Sequence, residues 1–321
     1  MRWSHLMLLA GLAGSGVLWA CSGQIDDYAV TVLILTGINM ILAVSLNLVN
    51  GYTGQFSLGH AGFMAIGAYA SSALSLFAGP KLLEMMGGTN AVTEGVLFAI
   101  ALLVGGSMAA LFGLMVGVPS LRLRGDYLAI VTLGFGEIIR VVIQNTEALG
   151  GPRGMNMMPP ATNLFWTFGL ATVTIYIVSN LVDSTYGRGF LAVRDDEIAA
   201  EAMGINTTRY KVLAFVIGSF FAGVAGALYA HYITYITPEG FNFMKSVDVV
   251  VMVILGGMGN NVGVAASAVL LTVLNEKLRD FEEYRMIIFS LLLVLMMILR
   301  PQGLLGGLKW PFKGKLGRSA K

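Results

Sequence analysis

Long apolar runs separated by short polar loops make up most of the chain. Many runs are about 20 residues long, which is the length an α-helix needs to cross a bilayer. The pattern predicts spans at 6–21, 28–49, 58–78, 94–118, 126–146, 163–183 and 213–236. The short alternating segments typical of membrane β-strands do not occur. The predicted fold class is therefore all-α and polytopic.

Basic residues set the predicted orientation, because lysine and arginine favour cytoplasmic loops. They concentrate at 119–125, at 184–212 and after Arg300, where no acidic residue follows. We expect both termini to be cytoplasmic. The expected organisation is one transmembrane domain over 1–308, with a cytoplasmic loop at 184–212, and a basic cytoplasmic tail at 309–321.

The number of crossings between Lys245 and Arg300 follows from this orientation. Lys245 is assigned to the outside and Arg300 to the inside, so the chain must cross an odd number of times. A break within the glycine-rich run 256–261 satisfies that condition. The resulting segments are 246–258, 262–276 and 285–299. The prediction is about ten transmembrane segments, including short or broken helices.

Composition supports a membrane protein: 56% of the residues are hydrophobic and 12% are charged, whereas soluble domains carry about 25% charged residues. Cys21 is the single cysteine, so a disulfide framework is excluded. Residues 2–21 resemble a signal peptide that ends in a lipoprotein-like Ala20-Cys21 site. Trp19 fits that site poorly, and we expect a retained first span.

The stretch from Arg188 to Lys211 is the one long charge-dense segment before the tail. Asp195 and Asp196 stand where an N-cap and a first helical turn favour acids, and Gly204 supplies a C-terminal stop. The predicted helix has about two turns, too few to be stable alone in water. It lies either on the membrane surface or on its own helix bundle, or it docks against a soluble partner; we favour the partner. The wider segment from Arg188 is expected to be its tether.

Two glycine-rich interruptions, at Asn47–Gly62 and at Gly256–Gly263, are candidates for a solute pathway. The first carries no formal charge although it is assigned to an inside turn, so it is expected to be recessed into the bundle. Free backbone groups at broken helices can hold a polar solute; tight packing is the alternative. The predicted pathway residues are Asn47, Gly51, Gly54, Gln55, Ser57, Gly59, His60, Gly256, Gly257, Gly259 and Asn260. His60 by itself is expected to be a hydrogen-bonded packing residue.

Glu137 and Arg140 are ionisable residues in the middle of a predicted span. Their i, i+3 spacing allows an ion pair on one helix face. Such residues inside a membrane are costly and suggest function. The alternative is a self-neutralising pair that orients the helix.

Several classes of chemistry have no signature in the sequence. It contains no P-loop GxxxxGK[ST], no HExxH and no GxSxG motif, and its three histidines are not at metal-ligand spacing. We expect no enzyme activity, no metal and no cofactor in this chain, and nucleic acid is not an expected partner. The energy source is then an ion gradient or another polypeptide.

The sequence resembles the LivM-type permease subunits of high-affinity branched-chain amino-acid ABC importers. The resemblance extends from about Val30 to Gly306. Its stretches are SLNLVNGYTGQFSLGHAGFMAIGAYASS (45–72), GDYLAIVTLGFGEIIRVVIQN (125–145), LGGPRGM (149–155), AAEAMGINTTRYKVLAFVIGSFFAGVAGALYA (199–230), VVVMVILGGMGNNVG (249–263) and LRPQGLLG (299–306).

The resemblance implies a multi-pass protein of the bacterial inner membrane that imports leucine, isoleucine or valine. The implied partners are a homologous second permease, two cytoplasmic subunits that bind ATP and magnesium, and a periplasmic substrate-binding protein, all acting at the lipid bilayer. Similar permeases carry urea or other amides, so urea and amides stay an alternative substrate class for this chain. The implied ATPase contact comprises Asp195, Asp196, Glu197, Ile198, Glu201, Ala202, Gly204 and Ile205.

Two other functional classes remain as alternatives. An ion-coupled secondary amino-acid transporter would use Glu137 and would work alone under a proton or sodium gradient. A passive solute channel would give downhill flux that ATP does not affect. The pairing of Glu137 with Arg140 and the long charged inner loop argue against the first.

Overall fold

A computed structural model of the chain describes residues 2–120, 126–156 and 160–278, with isolated positions between 287 and 303. The basic residues Arg122 and Arg124 and the tail 309–321 lie outside the described residues. The predicted tenth segment, 285–299, lies outside them in large part. The fold below concerns the described ranges.

Twelve α-helices account for most of these ranges. They are α1 (Arg2–Ala20), α2 (Asp27–Asn47), α3 (His60–Ala73), α4 (Gly79–Met85), α5 (Ala91–Ser120), α6 (Asp126–Gln144), α7 (Leu164–Asp183), α8 (Thr185–Asp195), α9 (Glu197–Ala202), α10 (Thr207–Ile233), α11 (Phe243–Gly256) and α12 (Asn261–Lys277). A π-helical turn, Leu48–Tyr52, extends α2, and a second, Leu74–Ala78, joins α3 to α4. A two-residue antiparallel ladder pairs β1 (Met155–Asn156) with β2 (Tyr235–Ile236).

Six helical stretches in the described part are long and apolar enough to cross a membrane. They are Asp27–Tyr52, His60–Met85, Ala91–Ser120, Tyr127–Gln144, Leu164–Asp183 and Thr207–Ile233. The all-α polytopic class predicted from the sequence is thereby confirmed. The predicted first span corresponds to α1, whose apolar part is shorter and which packs on α7, where Gly11 faces Thr172.

Small residues hold α3, α5 and α10 in close backbone contact at the centre of the bundle. A Cβ atom on Gly105 would lie 2.7 Å from the carbonyl oxygen of Gly67, and one on Gly67 would collide with the backbone of Gly223. Gly226 lies equally close to the carbonyl of Met64. Small side chains let membrane helices approach closely enough for extensive dispersion contact. These three helices form a tightly packed frame.

The break predicted near residue 256 is present, and it turns α11 and α12 into an antiparallel hairpin. Gly256 packs against Val264, and the Ser267 hydroxyl donates to the carbonyl of Met252. Positive φ angles of 97° at Gly257 and 84° at Gly259 make the turn possible.

The hairpin lies along α2, and α12 runs antiparallel to it. Asn261, at the start of α12, bonds Asn47 at the C-terminal end of α2, whereas Glu276 accepts from the Tyr28 hydroxyl at the other end. The two hairpin helices have 14 and 17 residues, about 21 and 25 Å at 1.5 Å per residue. They are therefore shorter than the six long spans.

The close approach of α3, α5 and α10 predicts that Gly223→Val destabilises the protein. A Cβ atom there would meet the Ala109 side chain and lie 2.6 Å from the Gly105 carbonyl oxygen. Overpacking of this kind costs about 1–3 kcal/mol. The expected result is a lower midpoint of thermal unfolding for the detergent-solubilised protein. Size-exclusion chromatography after heating measures the fraction that remains folded.

Gly134→Val is the matched control, because Gly134 is also in a membrane helix and no atom lies within 4 Å of its added Cβ. Equal midpoints for the two variants would contradict the packing argument.

Candidate functional site

The segment between α2 and α3 folds back into the bundle. The Ser57 amide donates to Asn50 Oδ1 at 3.2 Å, and the Leu58 amide donates to Thr132 Oγ1 of α6 at 3.0 Å. Of the pathway residues predicted in this stretch, Gly54 is exposed and the others are buried, namely Asn47, Gly51, Gln55, Ser57, Gly59 and His60. The predicted recess is confirmed.

Asn47 joins the recessed segment to the turn of the α11–α12 hairpin. Its Oδ1 accepts from the Gly259 amide at 2.9 Å, and its Nδ2 donates to Asn261 Oδ1 at 2.9 Å. Asn261 in turn donates to Ser179 Oγ of α7. Gly51 packs directly on this bond, since an added Cβ would collide with Asn47 Oδ1 and the Gly259 amide. We call Asn47, Gly51, Gly259 and Asn261 the asparagine junction.

The structure thus brings together the two glycine-rich interruptions that the sequence identified separately. Gly256 and Gly257 are buried at the hairpin turn, and Asn260 caps α12 by accepting from the amides of Val262 and Gly263, each at 3.2 Å. A role of these residues in the solute pathway stays a prediction.

His60 begins α3 and is fully inside the bundle. Its Nε2 lies 2.9 Å from Ser45 Oγ of α2, so it is the hydrogen-bonded packing residue expected from the sequence. Within the described ranges, no group of three His, Cys, Asp or Glu side chains is placed to hold a metal ion.

Gln55 has an unusual environment for an amide. It is buried, and neither its Oε1 nor its Nε2 has a hydrogen-bond partner among the described residues. A buried polar group without a partner costs about 1–3 kcal/mol. Gln55 lies in the recessed segment between α2 and α3.

Arg194, at the end of α8, connects α8 to the asparagine junction. Its Nη1 donates to the Gly51 carbonyl at 3.4 Å, and its aliphatic carbons pack on Gly54. Its Nη2 pairs with Asp195 at 3.0 Å. Sequence reasoning did not single out Arg194, because its partners lie far away in the chain.

The predicted polar helix is present as α9, with one correction to its start. Asp196 is the N-cap and accepts from the amides of Ile198 and Ala199 at 2.9 and 3.0 Å. Asp195 was predicted to belong to the same cap, but it ends α8, because the extended backbone of Asp196 separates the two helices. Gly204 stops the segment with φ of 82°.

The predicted tether from Arg188 is also corrected, because these residues are part of helix α8. Phe190 anchors this helix in the protein, being fully buried and in edge-on contact with Tyr210 of α10. Because Phe190 fixes α8 in the bundle, α8 holds the adjoining helix α9 in a defined position.

One face of α9 is tied to the bundle and another is open. Glu197 forms a 2.6 Å ion pair with Lys211 of α10, and Glu201 accepts from the Thr207 hydroxyl at 2.8 Å. On the open side, Ile198 is 67% exposed and Met203 is 82% exposed. A contiguous exposed apolar patch can mark a protein contact, and Ile198 and Met203 are the large apolar side chains exposed on this side of α9.

Glu137 and Arg140 form the predicted i, i+3 pair on α6. Arg140 Nη2 lies 2.7 Å from Glu137 Oε2, and Arg140 Nε donates to the same oxygen at 2.8 Å. The Glu137 side chain is 35% exposed and the Arg140 side chain is 25% exposed. The pair is therefore only partly covered by this chain.

Lys245 was assigned to an outside loop by the sequence, yet it lies in the first turn of α11. Its Nζ donates to Asn39 Oδ1 of α2 at 3.1 Å, and Asn39 Nδ2 donates to Thr272 Oγ1 of α12 at 2.9 Å. This chain of bonds ties the hairpin to α2. The sequence signal for this contact was Asn39, a single polar amide within an apolar run.

The fold and these features define a polytopic α-helical membrane protein with a broken-helix hairpin and a short polar helix, α9. The family profile described as "Branched-chain amino acid transport system / permease component" matches residues 28–299. The chain belongs to this family.

Named relatives agree with this assignment. The chain is 40% identical to the high-affinity branched-chain amino acid transport system permease protein LivM of Escherichia coli (strain K12), over 93% of this chain and 74% of the relative. LivM of Salmonella typhimurium is 36% identical over 98% and 77%, respectively. LivH of Escherichia coli (strain K12) is 26% identical over 83% and 90%. No solved structure matches. The resemblance inferred from the sequence is confirmed.

The asparagine junction predicts that Asn47→Ala weakens the contact between α2 and the hairpin. The substitution leaves the amide of Gly259 and Oδ1 of Asn261 without their Asn47 partner. Losing a buried partner costs about 1–3 kcal/mol. We expect faster cysteine labelling at the hairpin turn, measured with a maleimide on Val262→Cys in a Cys21→Ser background because Cys21 is exposed, and a lower unfolding midpoint.

Asn180→Ala is the control, since Asn180 is exposed on α7. The junction has no stabilising role if both alanine variants label at the rate of the parent Val262→Cys protein.

Proposed function

We propose that the chain is the permease subunit of an ATP-binding-cassette importer that moves branched-chain amino acids into the cell. The observation that carries the proposal is the extended identity to two proteins named LivM, at 40% and 36%. The proposed substrates are leucine, isoleucine and valine. The proposed location is the bacterial inner membrane.

The proposed topology has ten transmembrane segments and both termini in the cytoplasm, with 1–308 as one domain and 309–321 as the tail. The antiparallel path of α11 and α12 supports it. The chain enters the hairpin and leaves it at the same side, beside the Tyr28 end of α2. One further crossing, at 285–299, then brings the chain to its basic tail.

The proposed complex contains a second, homologous permease, two cytoplasmic ATPases that bind ATP and magnesium, and a periplasmic binding protein. The similarity of this one chain to both LivM and LivH supports pairing between homologous permeases. Because the sequence has no P-loop, ATP hydrolysis is assigned to the partner subunits.

The proposed ATPase contact is α9 and its flanks. Support comes from two exposed apolar side chains, Ile198 and Met203. The start of α9 is fixed by the Asp196 cap and the Glu197–Lys211 pair, and its end is fixed by the bond between Glu201 and Thr207. The residues assigned to this contact are Asp195, Asp196, Glu197, Ile198, Glu201, Ala202, Gly204 and Ile205.

The proposed coupling route passes from α9 through α8 to the asparagine junction. Closure of the ATPases on nucleotide moves α9, and Arg194 transfers the movement to Gly51 and the hairpin turn. The short chain of contacts supports this route, since Arg194 touches Gly51, whose backbone packs on Gly259. The unpartnered amide of Gln55 is then available to a solute that passes the recess.

Transport by the assembled complex tests the function itself. Proteoliposomes that contain this permease, its partner permease and both ATPases are expected to accumulate leucine when ATP and loaded binding protein are supplied. Accumulation by this chain alone under a proton or sodium gradient, or downhill flux independent of ATP, would support the rival classes instead.

A paired substitution tests the ATPase contact. Ile198→Glu is expected to reduce co-purification of the ATPases about tenfold, since it places a charge in an apolar contact. Met85→Glu is the control, because Met85 is 84% exposed on α4, in the loop region assigned to the outside. Equal ATPase recovery with both variants would overturn the assignment of α9.

A further inference from the structure

The Glu137–Arg140 pair on α6 has hydrogen-bonding capacity that this chain does not use. Both contacts from Arg140 go to Glu137 Oε2, from Nε at 2.8 Å and from Nη2 at 2.7 Å. Among the described residues, none donates to Glu137 Oε1 and none accepts from Arg140 Nη1. The pair therefore leaves one acceptor and one donor open, on side chains that are both partly exposed.

The pair lies near the middle of a membrane span. The span is Tyr127–Gln144, and Glu137 is about 15 Å from its start at 1.5 Å per residue, which is half of a hydrocarbon core about 30 Å thick. Ionisable side chains at this depth almost always face protein or water, because lipid chains offer no hydrogen bonds. The open acceptor and donor therefore require a cover that this chain does not supply.

The pair borders a face of α6 that the rest of the chain leaves open. We call this face the outer stripe of α6; its five residues follow one another at three- or four-residue spacing and are Tyr127, Ile130, Gly134, Ile138 and Val141. The four large side chains are exposed, and no atom lies within 4 Å of a Cβ added to Gly134. Gly134 therefore leaves a gap between Ile130 and Ile138 in which a neighbouring helix can approach closely.

Exposed apolar side chains alone do not distinguish a protein contact from a lipid contact in a membrane helix, because lipid tails are equally apolar. Helix α5 illustrates the lipid case. Its exposed large side chains are all apolar, and its one ionisable residue, Glu94, lies in the first turn. The outer stripe of α6 differs, since an ion pair with an open acceptor and donor lies beside it at mid-membrane depth.

We infer that the outer stripe of α6 is the contact surface for the second, homologous permease of the complex. The occupant is a membrane helix of that permease whose apolar side chains pack at the Gly134 gap. At the depth of the ion pair it supplies one donor, which meets Glu137 Oε1, and one acceptor, which meets Arg140 Nη1.

The symmetry of paired subunits indicates which helix of the second permease this is. Homologous subunits that pair about a twofold axis meet through corresponding surfaces, so the counterpart of α6 is the expected helix. The inference rests on the proposed function, which includes a second permease, and adds the face through which the two permeases associate.

Photo-cross-linking in the complex of both permeases and both ATPases tests this surface. Benzoylphenylalanine replaces Ile130 or Ile138 in separate variants, and mass spectrometry identifies the adducts. We expect covalent adducts with the homologous permease at both positions. Ile177 is the matched control, because it is also an exposed apolar residue and its helix, α7, packs mainly on α1, α2 and α8. Only lipid adducts are expected at Ile177.

A second variant tests the close approach at the gap. Gly134→Val fills it with a branched side chain, so about tenfold less homologous permease is expected to co-purify with each tagged chain. The unfolding midpoint of the single detergent-solubilised chain is expected to stay unchanged, because an added Cβ at Gly134 meets no atom of this chain. Gly14→Val in α1 is the matched control, since its added Cβ also has no neighbour within 4 Å.

The outcomes separate the two levels of the proposal. A wild-type chain that recovers no homologous permease and imports no leucine with ATP overturns the proposed function. If the wild-type complex assembles and imports leucine, only the α6 contact is overturned by adducts at Ile130 and Ile138 that are confined to lipid or to a second copy of this chain, or by no adduct at all. If neither benzoylphenylalanine variant assembles, equal recovery of the homologous permease by Gly134→Val and Gly14→Val overturns the contact.

Discussion

Broken helices inside a membrane expose backbone groups that have no water to bond, so the protein must satisfy them internally. Asn47 does this at the most demanding place, accepting from the Gly259 amide at the hairpin turn while donating to Asn261. The hairpin, the recessed segment and the end of α2 all meet at this side chain. Their relative positions depend on it.

The rest of the bundle separates into a rigid part and a part held by polar contacts. Glycine contacts between α3, α5 and α10 bring backbones together along an extended surface. The hairpin also packs closely on α2, and side-chain bonds such as Lys245–Asn39–Thr272 add discrete polar contacts there. Discrete bonds can be exchanged between two arrangements more readily than a close-packed glycine surface. In the proposed importer, the hairpin is the element that we expect to move when the partner ATPases close.

Much of the fold could be predicted from the sequence because its signals are local. Apolar run lengths gave the six long spans, and the glycine run at 256–261 located the hairpin turn. Asp196 and Gly204 marked the start and stop of α9. The i, i+3 spacing of Glu137 and Arg140 was sufficient to predict their pair.

The contacts that join distant segments could not be predicted in the same way. Arg194 meets Gly51, and Lys245 meets Asn39, across long stretches of chain. Charge counting also assigned Lys245 to a loop, since it does not register that a lysine can be hydrogen-bonded inside a helix bundle. The error at Asp195 arose because two adjacent acidic residues both looked like capping residues. Only Asp196 has the extended backbone that an N-cap requires, and Asp195 ends the preceding helix.

The central claim is that Arg194 transmits the ATPase movement to the asparagine junction. The most direct measurement is the number of leucine molecules imported per ATP hydrolysed by the reconstituted complex that carries Arg194→Ala. Arg188→Ala is the control, because Arg188 is exposed in the same helix. The account predicts that hydrolysis continues in the Arg194 variant while this ratio falls several-fold. A ratio equal to that of the wild type would contradict it.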